Sequence, residues 1–76
     1  MNTTVTIVRT RTTKHHSLAL YDAGGRFILE AWDLNTDERR TLETVDYQGH
    51  ADRIATRSMM LGALASCWAL SREGAL

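Results

Sequence analysis

The chain has 76 residues, a length that supports one hydrophobic core and one domain, with roughly 60% of the chain's surface buried on folding. Nine Lys and Arg balance nine Asp and Glu, so net charge supplies no drive toward nucleic acid or anionic membrane, and the small stability margin of so short a chain disfavours a deep polar catalytic cleft. The single cysteine, Cys67, excludes an intramolecular disulfide and fits a reducing cytosol.

From Thr3 to Thr12 the chain is dense in β-branched residues, which suit a pleated strand. Strict alternation puts Val5 and Ile7 on one side with Arg9 and Arg11 continuing it, and Thr4, Thr6, Val8 and Thr10 on the other. Lys14-His15-His16 interrupts the pattern, and Ser17 to Tyr21 alternates Leu18 and Leu20 against Ala19 and Tyr21, a second strand. Asp22-Ala23-Gly24-Gly25 is a hairpin turn, because paired glycines reach positive φ at little steric cost. Phe27 to Asp33 is the third strand, antiparallel to the second. After the polar turn Leu34 to Glu38, Arg39 to Tyr47 alternates again with thin apolar content, as expected of an edge strand or an exposed arm.

Gln48-Gly49 ends that pattern, and from about His50 the composition turns to helix formers. Ile54, Ser58, Leu61, Ala65 and Trp68 form a continuous helical stripe, expected to face the sheet. Asp52 and Arg72 complement the helix dipole, and Gly74 can end the helix in a left-handed cap. The expected fold is α+β: a three- to four-stranded antiparallel sheet packed against one long C-terminal helix. Leu18, Leu20, Phe27, Leu29, Ile54, Leu61 and Trp68 are the expected core. No charged start precedes an apolar segment, and the longest uncharged run, Ser58 to Ser71, has 14 residues, short of the roughly 18 that a membrane span needs. A cytoplasmic protein without a membrane span is expected.

The chemistry-bearing residues point away from catalysis. His15, His16, His50 and Cys67 are zinc-ligand types, but no ligand pair stands at metal spacing and adjacent strand histidines point to opposite faces. Cys67 lies in an apolar helix, where burial blunts a thiol. Gly24-Gly25 lacks the remainder of a phosphate-binding loop. No catalytic, cofactor or metal residue is therefore expected, and no cofactor.

Charge distribution says more than its sum. Arg9, Arg11, Lys14 and Arg26 against Asp22 make the first segment basic. Seven carboxylates from Glu30 to Asp52 against Arg39 and Arg40 make the middle acidic. Glu30, Asp33, Asp37, Glu38, Glu43 and Asp46 are candidate contacts to a basic partner surface. Arg9, Arg11 and Lys14, with Tyr21 and Trp32 on neighbouring strands, offer the alternative of a basic sheet face for single-stranded nucleic acid, opposed by the nearby carboxylates. On the helix, Ala55, Met59, Gly62, Ser66 and Ala69 form a second line of small or flexible residues, and Met60, Leu64 and Cys67 a third. One sheet face cannot cover all of these. Met59, Gly62, Ser66 and Ala69 are candidates for a protein partner or a homodimer.

A short antiparallel sheet followed by one Ala-rich helix, in fewer than eighty residues and without a catalytic signature, resembles small phage and mobile-element proteins, anti-CRISPR proteins in particular. The resemblance covers the whole chain in length and element order and carries no shared motif. It implies a stoichiometric inhibitor, in the cytoplasm of a bacterial host, that occupies a CRISPR effector complex by surface mimicry and can present acidic residues where DNA would lie.

Overall fold

Alternation along four short segments and one run of helix formers gives a four-stranded antiparallel meander crossed by a single helix. A computed structural model describes residues 4–76, so Thr3, at the start of the expected first strand, lies outside the described residues. The strands are β1 (Thr6–Thr12), β2 (His16–Asp22), β3 (Arg26–Asp33) and β4 (Arg39–Asp46), in the order β1-β2-β3-β4, and the helix α1 is Gly49–Arg72. The expected fold class is what the chain adopts, and β4 is a full member of the sheet.

The β2–β3 turn shows why its glycines are needed. Gly24 and Gly25 have φ of 73° and 120°, Ala23 N–H donates to the Arg26 carbonyl at 2.8 Å, and Gly24 N–H donates to Asp22 Oδ1 at 3.0 Å. A β-carbon at Gly25 meets open space, so only the backbone angle penalises it. Gly25→Ala is expected to cost about 1–3 kcal/mol, more than Gly24→Ala, read as the shift in denaturation midpoint.

Buried Leu18, Leu20, Phe27, Leu29 and Ala31 of β2 and β3 meet Met60 and Leu64 of α1. Each fully buried large side chain contributes about 1.5–3 kcal/mol. The register Leu18↔Ala31, Leu20↔Leu29 and Asp22↔Phe27 keeps this set on the helix side of the sheet. Alternation therefore leaves Ser17, Ala19, Tyr21, Ile28, Glu30 and Trp32 on the open side.

Two irregularities redirect the edge strands. Ile7 pairs with Tyr21 but Arg9 pairs with Leu20, so the bulge at Val8 turns Ile7 to the open side and Arg9 and Arg11 to the helix side. Strict alternation had put all three on one face. A second bulge opposite Leu29 and Glu30, which pair with Glu43 and Thr41, leaves Leu42 half-buried against the core.

The helix also differs from expectation. It buries Thr56, Met60, Leu64 and Ser71, about a quarter-turn from the stripe through Ile54, Leu61 and Trp68 at 100° per residue. Ile54 is 54% exposed, and Leu61 and Trp68 are half-buried at the core's margin. Apolar residues surround the helix almost evenly, so hydrophobicity alone does not choose its rotation. Polar ties choose it instead. At one end Arg53 Nε donates to Asp22 Oδ2 at 2.8 Å; at the other Ser71 Oγ meets His16 Nδ1 at 2.8 Å and Thr13 Oγ1 at 2.6 Å. The helix ends in a Schellman cap: Gly74 takes φ 69°, and the N–H groups of Ala75 and Gly74 donate to Leu70 and Ser71 carbonyls at 2.8 and 3.0 Å.

Candidate interaction surfaces

The rotation of α1 leaves its outer face bare. Diametrically opposite the buried strip runs a line of Ala51, Ala55, Ser58, Gly62, Ser66 and Ala69, all exposed, flanked by Met59, Ala65 and Leu70. Met59 and Leu70 are 56% and 43% exposed, and no charge interrupts the helix between Ser58 and Ser71. The expected helix-face candidates Met59, Gly62, Ser66 and Ala69 thus share one exposed surface. The third line, Met60, Leu64 and Cys67, faces the core and does not contribute to it.

Gly62 is the telling member of this face. Its φ is ordinary and an added β-carbon would meet nothing, so no turn or packing within the monomer requires glycine there. A mid-helix glycine costs about 0.5–1 kcal/mol against alanine. The outer face therefore carries a stability cost that no turn or packing within the monomer offsets.

The six acidic candidates are not brought together. Asp46 pairs with Arg26 at 2.7 Å. Asp33 Oδ1 accepts the N–H groups of Asn35 and Thr36 at 2.9 and 3.2 Å, which hold its carboxyl below the ordinary range. Asp37, at φ 63°, accepts Trp32 Nε1–H at 2.8 Å. Glu30 stands on the open side of the sheet, whereas Glu43, opposite Leu29, stands on the helix side. Glu38 lines a cleft of about 240 Å³ with His16, Asp33 and Arg40, where both charge signs meet. Three of the six carboxylates thus serve local turns and pairs.

The basic sheet face also divides. Arg9 and Arg11 lie on the helix side, opposite Leu20 and Leu18, while Tyr21 and Trp32 lie on the other side, where Arg39 covers the Trp32 ring at 4.5 Å. Lys14 is exposed in the β1–β2 turn. The bulge at Val8 causes the separation, so one sheet face does not combine these cations with these aromatic platforms.

Sequence reasoning missed a buried polar relay. Thr13 Oγ1 accepts the N–H groups of His15 and His16, each at 3.1 Å, leaving its own proton for Ser71 Oγ, which in turn can donate to His16 Nδ1. His16 Nε2 then faces Asp33 Oδ2 at 3.8 Å, too long for a hydrogen bond. Serine, histidine and aspartate are the types of a nucleophilic triad, but Ser71 is 0% exposed and its oxygen is shut off from any substrate. The relay fastens the helix end to the β1–β2 turn. Its residues are far apart in the chain, and only Thr13 three residues before His16 hints at a local turn.

Cys67 is half-buried. Burial and the Glu43 carboxylate push its thiol up, with Arg40 opposing them. Alkylation at neutral pH is expected to be slower than that of an unhindered thiol, and faster in Glu43→Gln; equal rates in the two proteins would contradict this electrostatic reading. Among the described residues no three His, Cys, Asp or Glu converge as a metal site, and no helix is long and apolar enough to cross a membrane. No protein-family model matches the chain, and comparisons with curated proteins and with solved structures give no match.

Proposed function

We propose that the chain is a non-catalytic protein-binding module whose contact surface is the outer face of α1, with a second copy of the chain as its first partner. The observation that carries this reading is the charge-free outer face centred on Gly62, whose glycine has no purpose inside the monomer. The face is self-complementary. Ala55 and Ala69 lie seven residues on either side of Gly62, and Ser58 and Ser66 lie four on either side. An antiparallel two-fold pair crossing at Gly62 sets small residues against small residues and opposes the helix dipoles. Asp52 and Arg72 lie ten residues on either side, so the acidic end of one helix is level with the basic end of the other.

The resemblance to anti-CRISPR proteins gives this module a specific form: a phage-encoded inhibitor that binds a CRISPR effector complex stoichiometrically. That form rests on length and layout, and the dispersed carboxylates shift its contact surface from the acidic segment to the helix. Titrating the protein into a purified effector complex while following target cleavage tests it. Inhibition complete at a fixed stoichiometry, and lost in Gly62→Leu, supports the inhibitor. Uninhibited cleavage across the effector classes retires that form without touching the self-association.

A further inference from the structure

We propose that the furrow between β1 and α1 binds the phosphate backbone of single-stranded nucleic acid, a role beyond the protein contact assigned to the outer face of the helix. Charge, not composition, reveals the furrow. Arg9 and Arg11 reach it from the helix side of β1, Lys14 from the turn that follows, and Arg57 and Arg72 from one stripe of α1. Trp68 fixes that geometry: its Nε1–H donates to the Thr12 carbonyl at 3.3 Å, so the side of the helix bearing Trp68 faces β1. Arg57 stands three helical turns before Trp68 on the same side.

Arg11, Lys14 and Arg72 thus gather at one end of the seam, and strand register and helix periodicity set Arg9 and Arg57 along it, five of the nine basic side chains of a protein with no net charge. Among the described residues, close contacts between Asp or Glu oxygens and basic side chains involve only His16, Arg26 and Arg53, so none of the five is held in a salt bridge. Arg11 and Arg72 are moreover drawn to one indole, with guanidinium carbons 3.9 and 4.7 Å from the Trp68 ring centroid. Two cations sharing one ring repel each other across it, and the ring quadrupole offsets part of that repulsion. An anion bound beside both guanidiniums would lower that repulsion further. The indole also holds the guanidinium planes while their N–H edges stay free for phosphate oxygens.

At the end of the furrow Thr12, Thr13, Lys14, Trp68 and Arg72 line an open cleft of about 380 Å³, where threonine hydroxyls and a lysine complete a phosphate-binding set. The furrow runs about 22 Å from Arg57 to Arg72, at 1.5 Å per residue, and is bounded by a single helix and an edge strand. That shape takes one extended strand. With guanidiniums already on Trp68, bases have no free platform there, so binding is to the backbone and independent of sequence.

The test is fluorescence anisotropy of a labelled mixed-sequence single-stranded oligonucleotide. About four neutralised phosphates give a slope near −3 in log affinity against log salt, hence about 50-fold weaker binding between about 50 and 200 mM salt. Lys14→Glu with Arg57→Glu, two exposed positions outside the core, is expected to weaken binding at least tenfold; Lys14→Gln with Arg57→Gln is expected to lower the slope by about 1–2. Arg39→Glu, on the opposite side of the sheet, is expected to change nothing, and circular dichroism verifies that each variant is folded. No binding at low salt, unchanged affinity in the folded furrow variants, tighter binding of duplex, or equal competition by polyglutamate would each overturn the proposal. Gly62→Leu leaves the furrow intact, so failure of the helix contact and failure of this site are read separately.

Discussion

Gly62→Ala is expected to make the monomer more stable and the proposed pair of copies weaker. The first effect follows from the helix alone: removing a glycine from an exposed helix interior raises stability by about 0.5–1 kcal/mol, and the open space around the site leaves no packing penalty to oppose it. The second follows from the proposed two-fold contact. A methyl group inserted where two backbones meet costs about 1–3 kcal/mol through overpacking, felt once from each copy, so association falls at least tenfold. Gly62→Leu enlarges the effect beyond a hundredfold while the monomer still folds. Opposite signs at one residue separate an interface glycine from an indifferent one. Urea denaturation of the dilute protein reads the first effect, and association measured over a concentration series reads the second.

Asp22→Ala is expected to cause the largest loss of stability from a single polar side chain, about 2–4 kcal/mol. Asp22 is buried at 7% exposure and accepts three hydrogen bonds, from Tyr47 Oη–H at 2.6 Å, Arg53 Nε–H at 2.8 Å and Gly24 N–H at 3.0 Å. Burial alone would raise its carboxyl, but these partners outweigh burial and hold it below the ordinary value. Arg53 is 44% exposed, so solvent screens its share, and the tyrosine and backbone bonds carry most of the effect.

The lowered carboxyl also fixes a pH dependence. Its contribution is complete above the unfolded value of about 3.9, and falls away as pH drops through the lower value of the folded chain, because the unfolded chain then binds more protons. Asp33 acts with the same sign. Asp22→Asn is therefore expected to unfold at lower urea at pH 7 and to lose less between pH 5 and about pH 3 than the parent chain. A parallel acid decline in the two proteins would place the acid sensitivity elsewhere.

The fold was legible where local chemistry and pattern agreed. Paired glycines, alternation in β2 and β3, and a run of helix formers located the turn, the central strands and the helix within a few residues. The helix's rotation was not legible, because Ile54, Leu61, Met60 and Leu64 present similar hydrophobicity on several sides. The decision rests with Asp22 to Arg53 and Ser71 to His16, contacts 31 and 55 residues apart in the chain. Bulges hid the faces of the edge strands for a related reason: one extra residue at Val8 reverses every later side chain in β1, and β-branched sequence carries no mark of it. The exposed helix line Met59, Gly62, Ser66 and Ala69 was visible in sequence because small residues recur there at helical spacing. The basic furrow was not, since Arg57 and Arg72 join Arg9, Arg11 and Lys14 only once the helix is laid beside β1.

The most direct measurement is sedimentation equilibrium of the parent chain and of Gly62→Leu over a range of concentrations, with helicity monitored in each. A reversible monomer-dimer equilibrium in the parent, shifted to monomer in a folded Gly62→Leu, is the expected result. A parent chain that stays monomeric throughout, or a dimer that Gly62→Leu leaves intact, would contradict the proposal that the outer face of α1 is a pairing surface.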